Sequence, residues 1–545
     1  MFDLGTIVLF LCLTILFYVF ANNNNNYWKD RNVPFIPPLP LLGNLKPLIF
    51  MEKSLGDFMA DLHNSVHAAG QKFVGIYLFR NEPAILVRDP ELVKHILIKD
   101  FEHFTDRNVV CDEKRDPIGF NIMFNLEGQK WKFIRTKLSP TFTAGKMKQM
   151  FTIVKEKADG LLNFLDQKVE KDKNSDKHSA IIESKSVMAK FTVDVISSCA
   201  FGINVNSFSE MKSEFSDLAS NIFHTSLRRA IDWRAIFFIH SLVKLFKCNL
   251  VGQEGNAFFT KVFRDTLQER ENRKIFRNDF MDMLINLKNE QAEKLKNKTE
   301  GYEQEIYSAF VTAYLKVVLH QFAEFDGDLL LAQSMVFFVA GFETNSTTIS
   351  MALYELAIQP HIQNKLRAEI LENMKSNGGE LTYDGISEMK YLGMVVSGSI
   401  GLPFGAETLR KYPPLPFLGR TCTKDYKLPG TDVTIKKGTQ VLISLFKGLH
   451  YDPEQFPLPE HFNPERFSPE NKGSIHPCAN IPFGEGPRIC IGMRFGYMAV
   501  KTGLSLILSR FKIELCEETP IPLEIENRAL MLTVKGGNNL KFVKL

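Results

Sequence analysis

The sequence lacks the spacings by which cysteine and histidine usually announce a metal or a disulfide framework. Its eight cysteines are scattered at Cys12, Cys111, Cys199, Cys248, Cys422, Cys478, Cys490 and Cys516. None forms a CxxC pair and no histidine cluster has zinc-ligand spacing, which argues against a structural zinc module. The scatter also lacks the regularity of a secreted disulfide scaffold and suits a reducing compartment. Charge imbalance is slight, +4 over 545 residues, and no basic run interleaved with aromatics speaks for nucleic acid. No internal repeat and no Gly/Ser linker divides the chain, so its 45% hydrophobic content is available to one large core.

What the sequence does have begins at its N-terminus. The uncharged run "LGTIVLFLCLTILFYVFA", Leu4 to Ala21, is long enough to cross a bilayer with little tilt. Asp3 precedes it and Lys29 and Arg31 follow, a bias that places the C-terminal side in the cytosol. Phe20-Ala21-Asn22 is a poor cleavage site, so the run reads as an uncleaved signal anchor. The expected organisation is an anchor and spacer over residues 1–30 and one catalytic body over 31–545. The Asn22–Asn26 tract reads as a polar spacer. The prolines of "VPFIPPLPLLGN", Val33 to Asn44, favour stiff extended backbone that can set the angle between anchor and body.

In the body, "KFVGIYLF" and "AILVRD" have the composition of strands. From Pro90 to Leu295 apolar residues recur mostly at helical spacing, which predicts a mainly α body with small β-sheets. "WRAIFFIHSLVKLFK", Trp233 to Lys247, is basic and strongly apolar. It reads as a core helix, with partial contact to a membrane surface as the alternative.

The stretch that carries chemistry is "PFGEGPRICIG", Pro482 to Gly492. A thiolate serves as an iron ligand only when held rigidly and shielded from solvent and oxidation. Gly484, Gly486 and Gly492 let backbone approach a large flat partner and adopt positive φ where required. Phe483 can shield one side, and Arg488 can meet an anionic group beside the sulfur. A glycine-rich turn around a buried structural cysteine is the bland alternative for Cys-x-Gly alone.

The whole string resembles the haem-binding loop of the cytochrome P-450 family of haem-thiolate monooxygenases. The pattern Phe-x-x-Gly-x-Arg-x-Cys-x-Gly is met by Phe483, Gly486, Arg488, Cys490 and Gly492. Three further stretches follow that family's order. "AGFETNSTT", Ala340 to Thr348, resembles its oxygen-activating helix segment, with Phe337, Ala340, Gly341, Thr344 and Thr348 on one helical face. A small residue there leaves room for dioxygen, and a Thr344 hydroxyl beside the Glu343 carboxyl would manage protons. Asn345 departs from the second hydroxyl residue of many relatives. "ETLR" and "FNPERF" match the Glu-x-x-Arg and Pro-Glu-Arg-Phe segments, so Glu407, Arg410 and Arg466 would form a buried structural charge network.

"WKFIR" sets Trp131 and Arg135 one turn apart; the resemblance implies that they hold a haem propionate together with Arg420 and Arg488. Lys130, Lys132, Lys137, Lys146 and Lys148 continue a basic run that would steer an acidic electron donor. The family implies haem b with axial Cys490, NADPH used indirectly through NADPH-cytochrome P-450 reductase, and cytochrome b5 as a further partner. It also implies O2 and a small lipophilic substrate, with Phe120, Phe124, Phe337, Phe338, Leu415 and Phe417 as pocket candidates. Each of those six is equally credible as plain core.

The resemblance runs the length of the chain and points to the insect microsomal detoxification branch. The expected function is oxidation of xenobiotics such as plant toxins or insecticides at the endoplasmic reticulum membrane, with the body on the cytosolic side. The alternatives are a biosynthetic hydroxylase of a sterol or terpenoid hormone and a catalytically impaired relative. Two stretches depart from the pattern, Gly301–Gln321 and Gly398–Ala406, and it is the second, before Glu407, that would disable the last of these. A helix hardly propagates through Gly398, Gly401, Pro403 and Gly405. The helix bearing Glu407 and Arg410 is therefore expected to be about one turn long and held by its charge network. Incorrectly joined coding segments would produce both insertions.

Overall fold

The computed structural model describes residues 4–171, 178–209, 214–277, 279–303, 327–397 and 406–545. The insertion at Gly398–Ala406, apart from Ala406, and residues 304–321 of the other insertion lie outside the described residues.

The body is built around one long helix, Asp328–Ile358. Its sequence is apolar on every side, which is the pattern of a helix surrounded by protein, and it is buried from Leu330 to Phe338 apart from Val336 and from Phe342 to Ala357 apart from Thr344. Asp328 in the first turn complements the positive end of the helix dipole, and Pro360 stops propagation just beyond Ile358. Helix Ser184–Phe201 lies alongside it. The two backbones approach at Gly341, where a Cβ would fall 2.5 Å from Ile196 Cδ1, and Thr192 Oγ1 donates to Phe342 O at 3.0 Å. Helix Met493–Arg510, which begins directly after the cysteine loop, packs on the central helix and on helix Ala144–Lys171.

Both expected strands are present as Phe73–Tyr77 and Pro83–Val87. They pair antiparallel, and the second then pairs parallel with Gln440–Ser444, which in turn pairs antiparallel with Phe417–Thr421. A three-stranded antiparallel sheet joins Ser179–Glu183, Asn539–Lys544 and Phe511–Glu514. Thus the fold is mainly helical with small sheets, as the apolar spacing predicts. The Trp233–Lys247 stretch divides: helix Leu227–Phe238 is buried from Trp233 onward, whereas Leu245 and Phe246 are exposed.

The N-terminal run forms a helix, Leu4–Ala21, with its apolar side chains facing outward. Among the described residues it is the one helix long and apolar enough to cross a membrane. The Asn22–Asn26 tract after it is a series of turns rather than a loose spacer, since Tyr77 and Asn81 bond to Asn25.

Candidate active site

The cysteine loop is fixed from within. Cys490 N donates to Phe483 O at 3.0 Å, closing the segment into a tight turn that presents the sulfur. Gly484 and Gly486 both have φ of +72°, a conformation disfavoured for side-chain-bearing residues. At Gly486 the requirement is steric as well, because a Cβ would stand 1.8 Å from Leu97 O. Phe483 meets Tyr497 edge-on at 5.0 Å.

Above the loop lies the middle of the central helix. Phe337 touches Phe495, with ring centroids 5.5 Å apart, and the side chain of Asn345 lies against Gly496, where a Cβ would be 3.3 Å from its Oδ1. Between these two contacts Ala340 is exposed and Thr344 half-exposed, although the helix around them is buried. Cys490 is likewise exposed, yet burial among protein atoms is the main cause that raises its thiol pKa, opposed by the Gly492 N–H and by Arg135 and Arg107. Accessible surface deep in the body means that these side chains face an internal space.

Arginines surround one edge of that space. Arg488 is buried, with its guanidinium 4.3 Å over the Trp131 ring, and it donates to Leu126 O at 2.6 Å and Phe124 O at 3.3 Å. Arg420 is also fully buried, and the Nε atoms of Arg420 and Arg488 have no partner. Arg135 is half-buried and close enough to Cys490 for each to act on the other's charge. A fourth member, Arg107, donates to Phe124 O and to Arg488 O, 381 positions further along the chain. Burial first, then the like charges of Arg420 and Arg488, holds Arg107 well below the usual arginine pKa. Burial, then the Arg420 charge, brings Arg488 down to about 9, and burial brings Arg420 to about 10. Asp106, 3.6 Å from Arg488, and Glu127 are the carboxylates that offset them. So much buried positive charge, with two N–H groups unpaired, calls for an anionic partner.

These residues fit a haem. An accessible thiol is a soft iron ligand, accessible Ala340 lies on the helix above it, and the cluster of guanidiniums supplies the positive charge that two propionates would meet. Trp131, Arg135, Arg420 and Arg488 lie beside the loop that carries Phe483, Cys490 and Gly492, and Ala340 is accessible on the helix above it. Arg107 was not legible: no local spacing relates it to the cysteine.

The proposed acid–alcohol pair is not brought together. Thr344 Oγ1 donates to Ala340 O at 2.6 Å, on the accessible side. Glu343 is buried on another side, where Lys185 Nζ bonds its Oε2 at 2.8 Å and also bonds Ser346 Oγ at 2.7 Å. Gly341 likewise turns from the space toward Ile196, which leaves Ala340 as the small residue that opens it.

Three pocket candidates are core instead. Phe338 has no accessible surface and sits among Phe201, Phe215, Phe259 and Phe342. Phe337 is buried and stacks on Phe280 with centroids 4.5 Å apart. Phe417 is buried against Phe237 and Phe238. Large apolar residues that fill helix and sheet interfaces look the same in sequence as those that line a cavity. Leu415, Phe120 and Phe124 are half-buried and remain candidates, with the Arg107 guanidinium 4.0 Å over the Phe124 ring.

The structural charge network is complete. Arg410 and Glu407 are fully buried and paired by two bonds of 2.7 and 2.8 Å. Arg410 also donates to His450 O and Pro459 O, while Arg466 Nε and Asn463 N reach Glu407 Oε1 at 3.3 and 2.9 Å.

Comparison with known proteins agrees with this geometry. Residues 33–542 match the cytochrome P450 family. The chain is 43% identical to cytochrome P450 6k1 of Blattella germanica over 538 residues, 99% of this chain and 97% of that protein. It is 37% identical to cytochrome P450 6a2 of Drosophila melanogaster over 540 residues, 99% of each chain. With cytochrome P450 6B7 of Helicoverpa armigera the identity is 36% over 531 residues, 97% of this chain and 96% of that one.

Proposed function

Because the chain belongs to the cytochrome P450 family, and is a monooxygenase of the insect detoxification type, we propose that it oxidises lipophilic foreign compounds, such as plant toxins or insecticides, while anchored to the endoplasmic reticulum membrane. The observation that carries this reading is the accessible Cys490 thiol inside the body, flanked by buried arginines, two of whose Nε atoms have no hydrogen-bond partner.

A bound haem would supply the iron chemistry by which one atom of O2 enters the substrate and the other leaves as water with two electrons and two protons. The chain's own residues do the rest. Cys490 would hold the iron through Sγ as an electron-donating thiolate. Arg107, Arg135, Arg420 and Arg488 would hold the two propionates. The Thr344 hydroxyl, with its hydrogen directed at Ala340 O, turns its oxygen lone pairs toward the space and positions a water there. Glu343 is bonded to Lys185, and reaches that water only by leaving this contact. Ala340, with no side chain beyond Cβ, keeps room over the sulfur.

Electrons come singly from NADPH through the reductase, which docks on the face bearing exposed Lys130 and Lys132; cytochrome b5 shares that face. The outward-facing apolar helix at Leu4–Ala21 supports a single-pass anchor with the body in the cytosol. The closed Glu407–Arg410–Arg466 network supports a haem-retaining enzyme over an impaired relative.

Reconstitution with reductase and NADPH in lipid vesicles tests the substrate class. Plant toxins and insecticides are expected to be turned over with oxygen incorporated from O2. Turnover confined to a sterol or terpenoid hormone would sink the detoxification reading.

A further inference from the structure

The N-terminal helix does not join the body by a slack tether. Ala21, its last residue, is buried, and its carbonyl accepts from Leu41 N and from Asn81 Nδ2, both at 2.7 Å. The Asn81 amide also donates to Asn25 Oδ1 at 2.6 Å, and Tyr77 Oη donates to Asn25 O at 2.8 Å. One residue back, the Arg80 guanidinium lies 4.9 Å over the Phe20 ring. Past the turns, Trp28 is fully buried, with Nε1 donating to Ile76 O at 3.0 Å. Its indole lies over Gly75, where a Cβ would be 2.5 Å away.

The backbone of the receiving side is strained to make these contacts. Leu41, Arg80 and Asn81 have φ of +63°, +60° and +55°, and Arg80 N donates to Leu41 O at 2.6 Å. A left-handed non-glycine residue is disfavoured and persists only where its surroundings over-determine it. Here three such residues converge on the end of one helix. Two of them, Leu41 and Asn81, donate to the same carbonyl, and the third supports Leu41 and covers Phe20.

We propose that this socket rigidly couples the anchor to the body, so that a lipid bilayer holding the helix meets the catalytic body at one fixed tilt. The inference rests on the anchor reading above and extends it: the angle is set by Asn81, Arg80 and Trp28, not by the stiffness of the prolines between Val33 and Asn44. The asparagine tract then has a role other than spacing. Asn25 supplies the two acceptors through which the strand end at Tyr77 and the loop at Asn81 grip the chain between helix and body.

The test uses the full-length holoprotein with nitroxides on a non-natural ketone amino acid at Leu9 and Val66, 60% and 83% exposed, so that the native cysteines stay untouched. Pulsed dipolar spectroscopy reads the anchor-to-body distance in detergent and in vesicles. The comparison is the double variant Arg80→Gly/Asn81→Gly, which keeps the positive-φ backbone but deletes the ring contact and both amide hydrogen bonds. An unchanged carbon monoxide difference band shows that its body is folded. The socket predicts one narrow distance distribution for the wild type, which broadens into several components in the double variant. A wild-type distribution already broad, or a variant as narrow as the wild type, overturns it. Carbonate extraction reports separately on the anchor: if the wild type washes off membranes, that reading fails, while the distances in detergent still decide the socket.

Discussion

His450 has no counterpart among the motif residues, yet it joins the charge network to the cysteine loop. It is fully buried. Its Nδ1 faces Arg410 O at 3.2 Å and its Nε2 faces Ile481 N at 3.0 Å. The Ile481 N–H must donate, so Nε2 is the acceptor and Nδ1 carries the proton. Ile481 O in turn accepts from Gly484 N at 2.8 Å, at the start of the turn that presents Cys490. Burial, then the Arg410 charge, pushes the ring's pKa down to about 3. His63, buried and near Arg88, is also lowered to about 3. Both rings are therefore neutral in the folded protein and titrate near pH 6.5 in the unfolded chain. As pH falls from about 6.5 toward 3 the unfolded state takes up protons that the folded state refuses, so stability falls. At full strength this is about 1.4 kcal/mol per pH unit for each ring. Urea unfolding between pH 6 and 4.5 should show this slope, reduced by about one proton in His450→Gln; an unchanged slope would contradict the neutral, buried ring.

At the scale of elements, the segment Glu407–Lys411 is a five-residue helix, too short to stand without tertiary partners. That brevity was legible from the glycines and the proline upstream, and the buried Glu407–Arg410 pair that holds it was legible from spacing. Less legible was everything that reaches it from elsewhere. Thr408 Oγ1 donates to Val395 O at 2.7 Å, so the chain on either side of the interruption meets again. Glu355, on the central helix, accepts from Tyr412 Oη at 2.6 Å and Lys411 Nζ at 2.7 Å. Its single carboxylate ties the short helix to the longest one. In sequence Glu355 reads as a surface charge near a helix end, because only the fold covers it to 2% exposure. Glu355→Gln should lower stability by about 1.5–3 kcal/mol, the worth of hydrogen bonds to a charged group, and speed haem loss. Urea unfolding and haem content check both, and wild-type values for the variant would show that the tether is idle.

Across the whole molecule, only the glycine-rich loop around Cys490 was a local string whose backbone chemistry spans about ten residues, whereas Glu407, Arg410 and Arg466 meet across 59 positions and came from the family pattern. The surroundings of that sulfur were divided. Trp131, Arg135, Arg420 and Arg488 came from the family pattern, whereas Arg107 and Lys185 reach their partners only through chain separations that no spacing encodes. The pocket was the least legible part, since Phe337, Phe338 and Phe417 fill interfaces with the same apolar character a pocket needs. All these pieces converge on one claim, that the interior space between Ala340 and Cys490 holds a haem ligated by Cys490. The carbon monoxide difference spectrum of the reduced, membrane-expressed protein tests it most directly. A red-shifted Soret band of thiolate-ligated haem, lost in Cys490→Ala, is the predicted result. No haem band, or a band at the wavelength of a protonated or displaced thiol, would contradict it.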